Sequence, residues 1–228
     1  MRNHRPYLFF KEGNKMQCIL MSCNNCNHDY AFEAVSEIIK PDMKVVCVPF
    51  ASELHWQLNG DFTNYKNTHF KIFESFGIKE KDISIAKLSE GRDKIMDKIE
   101  KADIVYFSGG YMENFMFIIK VLKLERFMKE LKNDKIFMGE SAGTLVMLDN
   151  YAEVPHIEDD YKTYKRKAGL GYITNLDIIV HYDKNNKKHR RNVHMLELLN
   201  TFTGKEVIAL SDNSLIIINN DETIVFGD

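Results

Sequence analysis

Proline is scarce, with four in 228 residues, and no stretch reads as a linker, a repeat or a low-complexity tract. That excludes modules strung on extended spacers, and a single domain over residues 1–228 is the expectation for this length. Neither sign of charge is in excess: 31 Lys and Arg stand against 33 Asp and Glu, a net charge of −2. No overall basic field is therefore present to hold nucleic acid or an anionic membrane. No apolar run approaches the ~20 residues of a membrane span. The opening MRNHRPYLFFKEGNK has charges but no long apolar block and no small-residue cleavage site, so it makes a poor signal peptide. A cytoplasmic protein is expected.

Cysteine is sparse too, at Cys18, Cys23, Cys26 and Cys47. Cys23-Asn24-Asn25-Cys26, with His28 close by, has the spacing of half a zinc site or of a redox pair. A structural zinc commonly takes two such pairs, and there is no second. A thioredoxin-like pair would open a helix, whereas Asn and Asp surround this one. The reading is a polar loop with free thiols, and neither a metal nor an organic cofactor is implied.

What the chain does have is apolar runs alternating with helix-length segments. QCILMS (17–22) precedes a helical stretch from about Asp29 to Lys40, which Pro41 ends. KVVCVPF (44–50) precedes one from about Asp61 to Phe76, with Gly77 as its stop. DISIAKL (82–88) leads to a helix around 93–101, DIVYFSGG (103–110) to one over 112–131, and KIFMG (135–139) to one from about Ala142. Five such units with continuously apolar strands predict an α/β fold, a mostly parallel sheet in three layers with helices on both faces. LDIIVHY (176–182) reads as a further strand and RRNVHMLELLNTF (190–202) as a helix. EVIALS, SLIIINN and TIVFGD finish the chain as short strands, expected as an antiparallel hairpin on the sheet edge. Residues 1–15 could add an edge segment.

Sites in open parallel sheets form at the carboxyl ends of strands, and two glycine-bearing turns fall there. Gly139-Glu140-Ser141-Ala142-Gly143 fits G-x-S-x-G at a strand-to-helix junction, where the sharp turn admits only small neighbours and lifts the hydroxyl clear. At a helix N-terminus, Ser141 meets free N–H groups that favour a developing negative charge. The N–H of Ala142 is the first oxyanion donor, and the Gly109-Gly110 pair can supply a second. The competing reading is a tight turn in which Ser141 only caps the helix.

A serine nucleophile needs a base, and His181 closes an apolar strand at what would be the same edge. His156 lies in a polar segment, and His189 and His194 belong with a helix. The orienting acid is open among Glu153, Glu158, Asp159 and Asp183.

In GESAGT, in YFSGG, and in HYD followed by RR (His181–Asp183, Arg190-Arg191), the chain resembles the peptidase E (aspartyl dipeptidase) family of serine peptidases, from about Met16 onward. The resemblance implies the flavodoxin-like fold of class I glutamine amidotransferases. It implies Ser141 as nucleophile, His181 as general base, and the N–H groups of Gly110 and Ala142 as oxyanion hole. The family carries its acid between serine and histidine, shortly before a proline, which Glu153-Val154-Pro155 fits best. Asp183 competes, because amidotransferases place an acid two residues after their histidine. Tyr111 and Met112 depart from the Asn or Asp and Thr usual after the glycine loop. The arginine pair could hold a substrate carboxylate, with a solvated helix start as the alternative. Asp183, Arg190 and Arg191 are thus substrate-binding candidates.

The expected activity is hydrolysis of dipeptides or short peptides by a cytoplasmic serine peptidase, with a small peptide as partner and no nucleic acid or membrane. An α/β-hydrolase esterase shares G-x-S-x-G but generally places its histidine near the C-terminus. A catalytically silent binding or sensor module on the same fold is the third reading. Monomer and homodimer are both open.

Overall fold

Strands buried on both faces of a sheet must be apolar throughout, and the five continuous apolar runs occupy such positions. A computed structural model describes residues 8–10, 17–23, 29–52, 61–131, 135–153, 165–182, 189–219 and 222–227. There the runs form β2 (Gln17–Met21), β3 (Val45–Val48), β4 (Ile83–Ile85), β5 (Ile104–Phe107) and β6 (Ile136–Glu140), all mutually parallel. On the β2 side, β11 (Leu215–Asn219), β12 (Glu222–Phe226) and β1 (Leu8–Phe10) each add antiparallel to their neighbour. The order is β1-β12-β11-β2-β6-β5-β3-β4. The fold is α/β, the expected C-terminal hairpin is β11–β12, and the segment ahead of Gln17 supplies an edge strand.

Alternate residues feed two separate core layers. In β5, Ile104 and Tyr106 pack with Ala31 and Val35 of α1 (Asp29–Ile38) and with Tyr65, Phe70 and Phe73 of α2 (Thr63–Ser75). Val105 and Phe107 face the other way, onto Ile95 and Ile99 of α3 (Arg92–Lys101) and Phe115 and Ile119 of α4 (Met112–Val121). All four of these β5 side chains are fully buried. At ~25 cal/mol per Å² of apolar surface removed from water, such residues dominate the stability of the sheet.

Three expectations are corrected. The helix read over 112–131 breaks into α4 and α5 (Glu125–Glu130) at Lys123, whose φ is +53°. Lys123 N–H donates to Lys120 O and Leu124 N–H to Ile119 O, a Schellman ending that turns Leu124 fully into the core. The helix opened by Ala142 is one turn only, α6 (Ala142–Leu145), followed by an antiparallel pair, β7 (Asn150–Glu153) and β8 (Lys165–Ala168), for which no strand was expected. Finally, EVIALS does not join the antiparallel ending. Its β10 (Glu206–Ala209) pairs in parallel with β9 (Leu176–Ile179), outside the main sheet. The helix α7 (His189–Phe202) between them provides the crossover that a parallel pair requires. Among the described residues no helix is long and apolar enough to cross a membrane.

Candidate active site

The carboxyl end of β6 runs directly into the turn that carries Ser141. Its backbone is left-handed, with φ +50° and ψ −113°, a conformation that costs a non-glycine residue of order 1–3 kcal/mol and persists only where surroundings enforce it. The enforcement is visible. Ser141 N–H donates to Met21 O at 2.9 Å. The buried Thr144 hydroxyl accepts from Met21 N–H at 3.1 Å and lies 2.8 Å from Met21 O and 2.9 Å from Gly139 O, acceptors for its single proton. The turn is thereby stapled to the end of β2. Gly143 permits the close packing of α6 on β5, since a Cβ there would stand 2.0 Å from Phe107 O.

His181 follows the end of β9 and also has positive φ, +59°. Its Nε2 lies 2.8 Å from Ser141 Oγ, and its Nδ1 lies 2.6 Å from Asp212 Oδ1. A carboxylate only accepts, so Nδ1 carries the proton and Nε2 presents its lone pair to the serine hydroxyl. Asp212 reaches this position because the β9–β10 ladder continues beyond both strands. Leu210 N–H donates to Ile179 O and Tyr182 N–H to Leu210 O, each at 2.8 Å. The fully buried Ser22, just past β2, links the parts: it accepts from His181 N–H at 2.6 Å and donates to Asp212 Oδ1 at 3.0 Å.

The N–H groups of Ala142 and Gly110 donate to no other group among the described residues. Gly110 has φ +136°, and a Cβ on it would meet Ala51 O at 2.2 Å, so only glycine fits where the loop turns against Ala51. Hydroxyl, imidazole, carboxylate and two available donors at one sheet edge constitute the parts of acyl-transfer chemistry.

Residues 18–226 match Peptidase family S51. The chain belongs to that family. It is 26% identical over 189 residues to the uncharacterized peptidase Lmo0363 of Listeria monocytogenes serovar 1/2a, a match covering 79% of this chain and 84% of the relative. It is 23% identical over 163 residues to the uncharacterized peptidase Lin0382 of Listeria innocua serovar 6a, covering 68% and 72%. Among solved structures it superposes on a peptidase E candidate from L. monocytogenes EGD-e with TM-score 0.69 and 19% identity, covering 92% of this chain and 98% of that one. A peptidase from an acI-B1 Actinobacterium gives TM-score 0.66 and 17% identity, with 95% and 90% covered. These two likenesses concern the fold; the family match makes the chain an S51 peptidase.

Of the residues singled out in the sequence, this sheet edge brings together Ser141, His181 and the glycine loop. The acid on the imidazole is Asp212, which was not among the sequence candidates. Glu153 is the last residue of β7, but its side chain lies outside the described residues, as do Glu158, Asp159, Asp183, Cys26 and the side chains of Arg190 and Arg191. The signal for Asp212 is faint: an acid in the polar turn after an apolar strand, SDNS. It becomes meaningful only once β10 is known to pair with β9.

Proposed function

We propose that this S51 peptidase is a serine peptidase acting on dipeptides or short peptides. The observation that carries the reading is the unbroken line Ser141 Oγ, His181 Nε2, His181 Nδ1, Asp212 Oδ1, with contacts of 2.8 Å and 2.6 Å.

In this mechanism Ser141 Oγ attacks the scissile carbonyl while His181 Nε2 removes its proton. The oxyanion falls to the N–H groups of Ala142 and Gly110, donors fixed in place before reaction and worth about 3–4 kcal/mol each in comparable sites. Asp212 holds the imidazole in the productive tautomer and stabilises the imidazolium. His181 then protonates the leaving amine, and water, deprotonated by the same imidazole, releases the acyl group.

The test is a panel of dipeptides and N-acyl amino acids offered to wild type and Ser141→Ala, read by amino-acid release, together with fluorophosphonate labelling. The variant should lose at least about 10³-fold in turnover and all labelling while keeping its circular dichroism. A wild type that takes up no phosphonate and splits no peptide or ester would instead favour a silent binding module on this fold. Ester hydrolysis without dipeptide cleavage would favour an esterase.

A further inference from the structure

Next to the nucleophile is a second constellation that the reaction above leaves unused. Glu140, the last residue of β6, turns toward α2 with its side chain only 14% exposed. Its Oε2 accepts the Tyr106 hydroxyl and lies 3.3 Å from His69 Nδ1. His69 Nδ1 is in turn 3.0 Å from the Tyr106 oxygen, the acceptor left once that hydroxyl donates to Glu140. Burial, reinforced by the Glu140 charge, pushes the Tyr106 phenol well above its ordinary value, so it stays a donor.

The other carboxylate oxygen is different. Among the described residues Glu140 Oε1 receives no hydrogen bond, and His69 is the one side chain within ion-pair distance of the carboxylate that could bring positive charge. Oε1 faces Gly109, where a Cβ would stand 3.3 Å away, so no side chain from that position covers it. Behind it the buried Tyr65 ring lies 4.3 Å from that of His69, tilted 38° to it. A carboxylate largely withdrawn from water and satisfied on one oxygen is costly unless a donor arrives. The leaving amine must reach His181 Nε2, which is held on the β2 flank of Ser141, whereas Glu140 turns toward β5 on the opposite flank, the side left for the acyl residue.

We propose that Glu140, backed by Tyr106 and His69, receives a positively charged group on the acyl-side residue of the substrate. The chemistry is an ammonium or guanidinium, carried either as a free α-amino terminus or as a Lys or Arg side chain. An acidic acyl-side residue is disfavoured there by like charge. The proposal rests on Ser141 as the nucleophile, because that assignment fixes which side of the scissile bond Glu140 meets.

The experiment uses binding, so that it is independent of turnover. Ser141→Ala is titrated calorimetrically with Leu-Leu, N-acetyl-Leu-Leu and N-acetyl-Lys-Leu, and the same series is repeated with Glu140→Gln added. At least one cation-bearing peptide should bind roughly 10- to 100-fold more tightly than N-acetyl-Leu-Leu, and Glu140→Gln should erase that difference. A preference for Leu-Leu identifies the amino terminus as the ligand, and one for N-acetyl-Lys-Leu the side chain. Equal affinity for all three peptides overturns the proposal, as does a preference that survives Glu140→Gln. If the double variant fails to fold, the comparison within Ser141→Ala alone still decides, because equal affinities there suffice to overturn it. Failure of the serine-peptidase reading would show separately, as absent phosphonate labelling of wild type.

Discussion

Asp212 Oδ1 accepts from both Ser22 Oγ and His181 Nδ1, so one oxygen fixes the imidazole plane while Ser22 also holds the left-handed backbone beneath it. Replacing this carboxylate by an amide keeps the shape and changes the proton logic. In Asp212→Asn the amide can offer N–H to Nδ1, which leaves the proton on Nε2 and deprives Ser141 of its base. We predict a fall in kcat of about 10³- to 10⁴-fold with KM changed little, read by steady-state kinetics on any peptide that wild type cleaves. Glu153→Gln should cost no more than about threefold, because His181 Nδ1 is already engaged by Asp212 Oδ1 and Nε2 by Ser141 Oγ. A larger loss at Glu153 than at Asp212 would reverse the assignment of the acid.

At the level of elements, the site depends on how closely α6 can lie against β5. In Gly143→Ala the new methyl would stand 2.0 Å from Phe107 O and 2.6 Å from its carbonyl carbon, and backbone cannot swing aside as a side chain can. We predict a loss of about 3 kcal/mol in stability by urea denaturation, with phosphonate labelling reduced because Ser141 moves with α6. The glycine itself was legible in the sequence as part of the turn, and so were the five strand–helix units, because double-sided burial writes itself as continuous apolar runs and Gly77 (φ +82°) marks a helix stop. The break between α4 and α5 was not legible, since the residue adopting the left-handed conformation is Lys123 and carries no glycine signal. His181 could be picked out as a polar residue closing an apolar strand. Its partner Asp212, 31 residues further on, could not, because their contact is created by the β9–β10 pairing and not by any spacing.

Across the whole molecule, Ser141 belongs to the main sheet and His181 and Asp212 to the outlying β9–β10 pair, so the proposed reaction requires the two to stay docked. Two ion pairs tie the outlying strands together. Arg166 of β8 grips the buried Asp177 of β9 through both oxygens, at 2.8 Å and 3.2 Å. Lys205, just before β10, meets Asp149 at 2.5 Å beside the start of β7. Burial alone would raise the Asp149 carboxyl, but the Lys205 ammonium and the Asn150 N–H outweigh it and hold the group below the ordinary 3.8. A depressed carboxyl favours the folded state above the unfolded-state value, and that contribution disappears as pH falls through the folded-state value. Asp149→Asn should therefore lower the melting midpoint by about 2–4 °C near neutral pH, corresponding to about 1 kcal/mol for a partly exposed pair. The gap between wild type and variant should stay constant down to about pH 5 and close progressively below about pH 4. Urea denaturation of both proteins across that range checks the sign: a gap that widens on acidification would mean that Asp149 is not held by Lys205 in the folded protein.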